Sequence, residues 1–244
     1  MKASLDACGC FPTGRHYPGI AHLLSVVVRG VAEELGQDTD WRELRIALID
    51  VETTGRDVAT DRVVEVGVCI GVNGEIVERY KWLVNPGIPI PDEARAVHGI
   101  SDADVKSQPT FAQVAAQIAE VLHGCVPGAY NAAFDRAFIH GEMARAAVST
   151  NAPTLRRDVD WLDPLVWARY LQAEEKSRAL GDVAGRLGIK LEGAHRADAD
   201  AEAALRVLYT LGRDPRVPRS YGAFVQEQRR YNFAQADERR FWKS

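Results

Sequence analysis

Ile46-Ala47-Leu48-Ile49-Asp50-Val51-Glu52-Thr53-Thr54-Gly55 is the stretch on which the fold turns. Ile46 to Val51 is a short apolar run, the length of a buried strand rather than a helix. Alternate residues of a strand share a face, so Asp50 and Glu52 project together. Two acids on one side at the end of an apolar strand are costly to bury unless something positive lies between them. A divalent cation answers that need, and oxygen-only ligands suit Mg²⁺ or Mn²⁺. Read alone, the pair is more readily a strand end meeting water, with Asp50 capping a turn.

Downstream, Val64, Val66, Val68, Ile70 and Val72 alternate with other residues, which predicts a half-buried strand. Asn73-Gly74 follows as a hairpin signal, and Ile76 to Val84 reads as the returning strand. Pro86 to Pro91 is a loop. Thr110 and Gln113 form a capping box, and Phe111, Val114, Ala115, Ile118 and Leu122 continue it at helical spacing. Cys125 to Ala129 is a further short strand, and Asn131 is placed to cap a helix running to about Ala147. Asp163-Pro164 reads as a cap with proline in the first turn, and Trp161 and Trp167 as core. Leu180, Val183, Ala184 and Leu187 make another helical stripe closed by Gly188. A last body helix starts near Arg196 and ends before Gly212. Strands in meander followed by helices alternating with further strands predict an α/β fold, a mixed sheet flanked by helices.

Two more fragments carry chemistry. Asn131-Ala132-Ala133-Phe134-Asp135 puts an acid in a first helical turn, where the helix dipole alone would favour it. His195-Arg196-Ala197-Asp198-Ala199-Asp200 brings a histidine into a helix with an acid five residues later. Such a histidine suits a general base at neutral pH, or simply a surface position beside exposed acids.

Taken in order, D-x-E, N-x-x-F-D and H-x-x-x-x-D resemble the DEDDh exonucleases, among them RNase T and the epsilon proofreading subunit of bacterial DNA polymerase III. The resemblance runs from about Arg45 to Leu211. Thr53-Thr54-Gly55, Asp61 to Gly67, and Val97-His98-Gly99-Ile100 support it. It implies an RNase H-like fold with a mixed five-stranded sheet. It implies two divalent ions, Mg²⁺ or Mn²⁺, held mainly by Asp50, Glu52, Asp135 and Asp200. His195 would deprotonate a water that attacks the terminal phosphodiester, releasing a nucleoside 5′-monophosphate in the 3′–5′ direction. Thr54 would lie near the 3′-terminal nucleotide, with Asn131 and His98 as further substrate contacts; His98 reads as structural on its own. The expected substrate is a single-stranded or frayed nucleic acid 3′ end, DNA before RNA, and a DNA polymerase is the protein partner the resemblance raises. A ribonuclease trimming RNA 3′ ends and a non-catalytic nucleic-acid-binding adaptor are the alternatives. The chain departs from the family pattern at Tyr130, where histidine is usual, and at Arg56, where an apolar residue is usual.

The two ends lie outside the resemblance. Residues 1–42 read as a leader, with Leu23 to Leu35 as a short amphipathic helix; residues 43–212 are the exonuclease domain. Residues 213–244 are a basic, aromatic tail, with eight Lys and Arg against four acids in a chain of net charge −4. Arginines bind phosphates and aromatic rings stack on bases. The same residues equally suit packing of the tail onto the body or across a homodimer. No apolar run is long enough for a transmembrane helix, and no signal peptide is apparent. Cys8, Cys10, Cys69 and Cys125 lack zinc-site spacing and read as free thiols of a cytoplasmic protein.

Overall fold

The computed structural model describes residues 29–148, 152–190 and 196–241. The apolar run at Ile46 forms β1 (Ile46–Thr53), flanked by antiparallel β2 (Val63–Val72) and then β3 (Glu75–Leu83). Asn73 and Gly74 both take positive φ, 55° and 84°, the two-residue turn whose twist matches the strands it joins. On its other side β1 pairs in parallel with the short β4 (Val126–Gly128), giving the sheet order β3-β2-β1-β4. The sheet is mixed, as expected, but has four strands among the described residues rather than five. The fifth place is taken by an incomplete strand. Leu162 donates to Pro127 O at 2.8 Å and accepts from Ala129 N at 3.0 Å, a single bridge. Asp163-Pro164 then opens a helix at once, and Val159 upstream bridges Gly30 instead, so no ladder can lengthen.

The helices are α1 (Asp92–His98), α2 (Asp102–Val105), α3 (Phe111–Val121), α4 (Ala133–Arg145), α5 (Pro164–Leu171), α6 (Leu180–Arg186), α7 (Ala197–Leu211) and α8 (Tyr221–Phe241). The capping box of Thr110 and Gln113 starts α3, and Asp163 caps α5 by accepting from Leu165 N. Asn131 does not cap α4. Ala132 stands at the cap, and Asn131 sits just before it at φ 68°, a conformation asparagine tolerates.

Strand β2 is buried on both faces along nearly its whole length, not on one. Val66, Val68 and Ile70 pack with Ala47 and Ile49 against α3 and α4. The opposite face carries Gly67, Cys69 and Gly71, and α7 lies directly on it. A Cβ at Gly67 would fall 2.1 Å from the Ala197 carbonyl carbon. The small residues that look like a solvent face are there to admit a helix. That helix presents Ala201, Ala204, Leu205 and Leu208 to Ile46 and Leu48.

The segments on either side share this core. Val31, Ala32 and Trp41 are buried, and the described part of the expected leader helix is not α-helical; it holds a bridge at Gly30 and a 3₁₀ turn, Glu33–Leu35. Residues 23–28 of that expected helix lie outside the described residues. Tyr221, Phe224 and Val225 of α8 are buried, with Phe224 against Trp41 and Trp167 at ring separations of 5.0 and 4.9 Å. Tyr231 stacks on Tyr170 at 3.9 Å. Arg229 donates to Arg29 O and pairs with Asp160, and Arg230 pairs with Glu227. The first half of α8 is thus packed on the body, with Arg229 and Arg230 engaged by protein, while Phe233 remains 70% exposed and the side chains of Arg239 and Arg240 lie outside the described residues. The Phe241 side chain and Trp242 lie outside the described residues, as do Cys8 and Cys10. Cys69 and Cys125 are free and buried. No helix among the described residues is long and apolar enough to cross a membrane.

Candidate active site

Three elements deliver the acids. Strand β1 places Asp50 and Glu52 on one face near its C-terminal end. Gly67 admits α7 so closely that Asp200, in the first turn of that helix, meets them. One ligand oxygen from each of Asp50, Glu52 and Asp200 lies within 4.8 Å of the others. Asp135 comes from the first turn of α4 and is buried. Strand β4 pairs with β1 only as far as Leu48, and beyond it the Val51 N–H donates to Asp135 Oδ1 at 3.1 Å. That bond ties α4 to β1 between the two strand acids.

The electrostatics of the group are those of crowded anions. Burial, then the charges of Asp135, Asp200, Glu52 and Glu65, hold Asp50 well above the usual carboxylate range. Burial, then Asp200 and Glu65, push Glu52 up to about 8, against the opposing pull of Arg196. Burial likewise raises Asp135, against its bond from Val51 N–H. Carboxylates so placed resist ionisation unless a cation joins them, and a bound ion reverses the sign of the local field. The all-oxygen donor set of Asp50, Glu52 and Asp200 fits a divalent cation.

His195 lies outside the described residues, which resume at Arg196 as the residue preceding α7. Thr54 is buried with its hydroxyl engaged: it accepts from Arg62 N at 3.0 Å and donates to Asp61 Oδ1 at 3.3 Å. His98 is buried at the end of α1, and its Nδ1 accepts from Ile100 N at 3.0 Å. Burial lowers its pKa, which favours the neutral ring. Asn131 lines a cleft of about 510 Å³ whose walls include Arg136, Arg169, Arg229 and Phe233 but none of the four acids.

Three acids outside the expected set, the half-buried Asp163 and the buried Glu142 and Glu65, hold the elements in place. Asp163 accepts from the N–H groups of Asn131, Ala132 and Leu165, joining the approach to α4 with the start of α5. Glu142 of α4 accepts from Arg62 at 2.7 and 2.9 Å and faces Val63 N. Glu65 of β2 is fully buried and reaches the start of α7. The sequence signal for Glu65 is an acid between Val64 and Val66 in the middle of an apolar strand.

A family model described as exonuclease matches residues 47–208. The chain is 34% identical over 161 residues to a PolC-type DNA polymerase III of Clostridium perfringens, covering 66% of this chain and 11% of the polymerase. It is 29% identical over 212 residues to the PolC-type polymerase of Streptococcus thermophilus, covering 84% of this chain and 14% of that protein. The chain therefore spans a small part of these relatives. In fold it is similar to E. coli Exonuclease I in complex with a dT13 oligonucleotide, with TM-score 0.62 and 21% identity over 71% of this chain and 42% of that one. Exonuclease X in complex with 5′-overhanging duplex DNA gives TM-score 0.58 and 22% identity over 74% of this chain and 99% of that one.

Proposed function

The chain belongs to the exonuclease family whose model spans residues 47–208, and from that premise we propose that it is a metal-dependent 3′–5′ exonuclease. The observation that carries the proposal is the meeting of Asp50, Glu52 and Asp200 within 4.8 Å, with Asp135 beside them. These four acids would hold two ions, Mg²⁺ or Mn²⁺. When bound, the ions would stabilise charge on the attacking and leaving oxygens of an in-line displacement. The chain's own groups do the rest. Val51 N–H fixes one oxygen of Asp135, and β1 fixes the pair Asp50 and Glu52. His195, five residues before Asp200, takes the proton of the attacking water. Thr54, Asn131 and His98 are the proposed substrate contacts, and the product is a nucleoside 5′-monophosphate.

DNA is the favoured substrate, as a single-stranded or frayed 3′ end. The relatives are named as DNA polymerases, and both structural neighbours are described with DNA. Association with a DNA polymerase, or with a second copy of the chain, goes with this reading.

The test uses single-stranded DNA and RNA of one sequence, with Mg²⁺, Mn²⁺ or EDTA, and the variants Asp50→Ala and Asp200→Ala. Hydrolysis that needs the metal and is lost in both folded variants is expected. Variants within a few-fold of wild type would refute the metal assignment, and preference for RNA would move the substrate class.

A further inference from the structure

We propose that Glu65, through its pairing with Arg196, is a positioning residue that sets the first turn of α7 against β1 and so places Asp200. Three contacts carry it. The fully buried Glu65 carboxylate accepts from Arg196 Nη2 at 2.6 Å and Arg196 Nε at 3.2 Å. Its Oε2 also accepts from the backbone N–H of Ala197 at 2.9 Å. Arg196 stands at the N-cap of α7 and its own side chain makes no cap bond. Glu65 therefore does from a neighbouring strand what an N-cap residue does from within the helix. Two residues along β2, Gly67 brings the strand into contact with the Ala197 backbone. Glu65 and Gly67 act as bond and seat for the same turn.

The placement bears on the site through the sheet. Glu65 is directly opposite Glu52 in the β1–β2 register. Asp200 follows Ala197 within one turn, and its N–H donates to Arg196 O at 3.0 Å. A shift of Ala197 therefore moves Asp200 relative to Asp50 and Glu52, whose ligand oxygens now lie within 4.8 Å of it. His195 adjoins Arg196 in the chain, so the same anchor fixes where the described helix begins after it.

The inference rests on the four acids being a metal site. The variants are Glu65→Ala, which leaves the Ala197 N–H without its acceptor, and Glu65→Gln, which keeps an oxygen there and drops the charge. Mn²⁺ binding is read by calorimetry, kcat and KM on a short single strand, and amide exchange at Ala197 to Asp200. For Glu65→Ala we expect both Mn²⁺ affinity and kcat to fall, on the order of 10-fold or more, as for other groups that orient metal ligands. KM should stay within about twofold, because binding contacts remote from the shifted acid are kept. Exchange in the first turn of α7 should quicken, and Glu65→Gln should recover part of each loss. Folded variants that bind Mn²⁺ and turn over like wild type would overturn the proposal, even if they unfold at lower temperature. If Glu65→Ala does not fold, Glu65→Gln alone decides on the same readouts. A wild-type protein inactive with every metal would instead refute the exonuclease reading, leaving Mn²⁺ affinity and amide exchange to test Glu65.

Discussion

Asp50→Asn should abolish hydrolysis and at the same time make the metal-free protein more stable. The substitution keeps the shape of the side chain and removes one charge from the cluster. At the 4.8 Å that bounds the oxygen separations, one pair of carboxylates repels by roughly 3.5 kcal/mol at an effective dielectric of about 20. Proton uptake sets a second bound: keeping an ordinary glutamate neutral at pH 7 costs about 3.7 kcal/mol. The two bounds agree, and solvent reaching the partly buried acids reduces the gain to about 1–3 kcal/mol. For a chain of this length that is a rise in Tm of roughly 2–10 °C. The pH dependence has a definite sign. Glu52 is raised to about 8, so the folded protein binds more protons than the unfolded chain from the ordinary glutamate range up to that value. Metal-free wild type should therefore lose stability as pH rises from about 4.5 to about 8, and the advantage of Asp50→Asn should be largest at the top of that window. The assay is thermal unfolding in EDTA and in Mn²⁺ at pH 5 and pH 8. Mn²⁺ should raise the Tm of wild type and leave the variant nearly unmoved. An Asp50→Asn protein no more stable than wild type in EDTA at pH 8, or one stabilised equally by Mn²⁺, would show that the three acids do not crowd into one ion site.

Gly67→Ala puts a methyl group 2.1 Å from the Ala197 carbonyl carbon. It should cost about 1–3 kcal/mol in denaturant unfolding and lower turnover, because the turn displaced is the one bearing Asp200. A chain ending at Gly212 loses Tyr221, Phe224 and Val225 and uncovers Trp41 and Trp167. It should lose cooperative thermal unfolding, whereas a wild-type Tm would show that the tail is an appendage. His195→Ala should reduce kcat by roughly 100-fold and leave Mn²⁺ binding intact by calorimetry, the pattern of a general base; lost binding would make it a ligand.

What the sequence made legible was local. The hairpin at Asn73-Gly74, the capping box of Thr110 and Gln113, and the Asp163-Pro164 helix start depend on neighbouring residues alone, and each is found. The pairing of Asp50 with Glu52 follows from strand periodicity in the same way. What was missed depends on distant partners. The Gly67 and Gly71 face of β2 reads as exposed until α7, more than a hundred residues later, is laid on it. The expected fifth strand shrinks to one bridge because Pro164 starts a helix and Gly30 competes for Val159. Asn131 has the residue type of a cap, yet Ala132 stands at that position, because Asp163 takes the N–H groups there. The tail's arginines suggest phosphate contacts by composition, yet Arg229 is engaged by Arg29 O and Asp160.

Metal-dependent removal of nucleotides from a 3′ end has a signature in the direction of attack. One single-stranded oligodeoxynucleotide is labelled at its 3′ end in one tube and at its 5′ end in another, then digested with Mn²⁺ and sampled before one-tenth is consumed. The 3′ label should appear first as a labelled mononucleotide, while the 5′-labelled strand shortens one residue at a time, and EDTA should stop both. Release of the 5′ label first, internal fragments from either strand, or equal digestion in EDTA would contradict metal-dependent removal from a 3′ end.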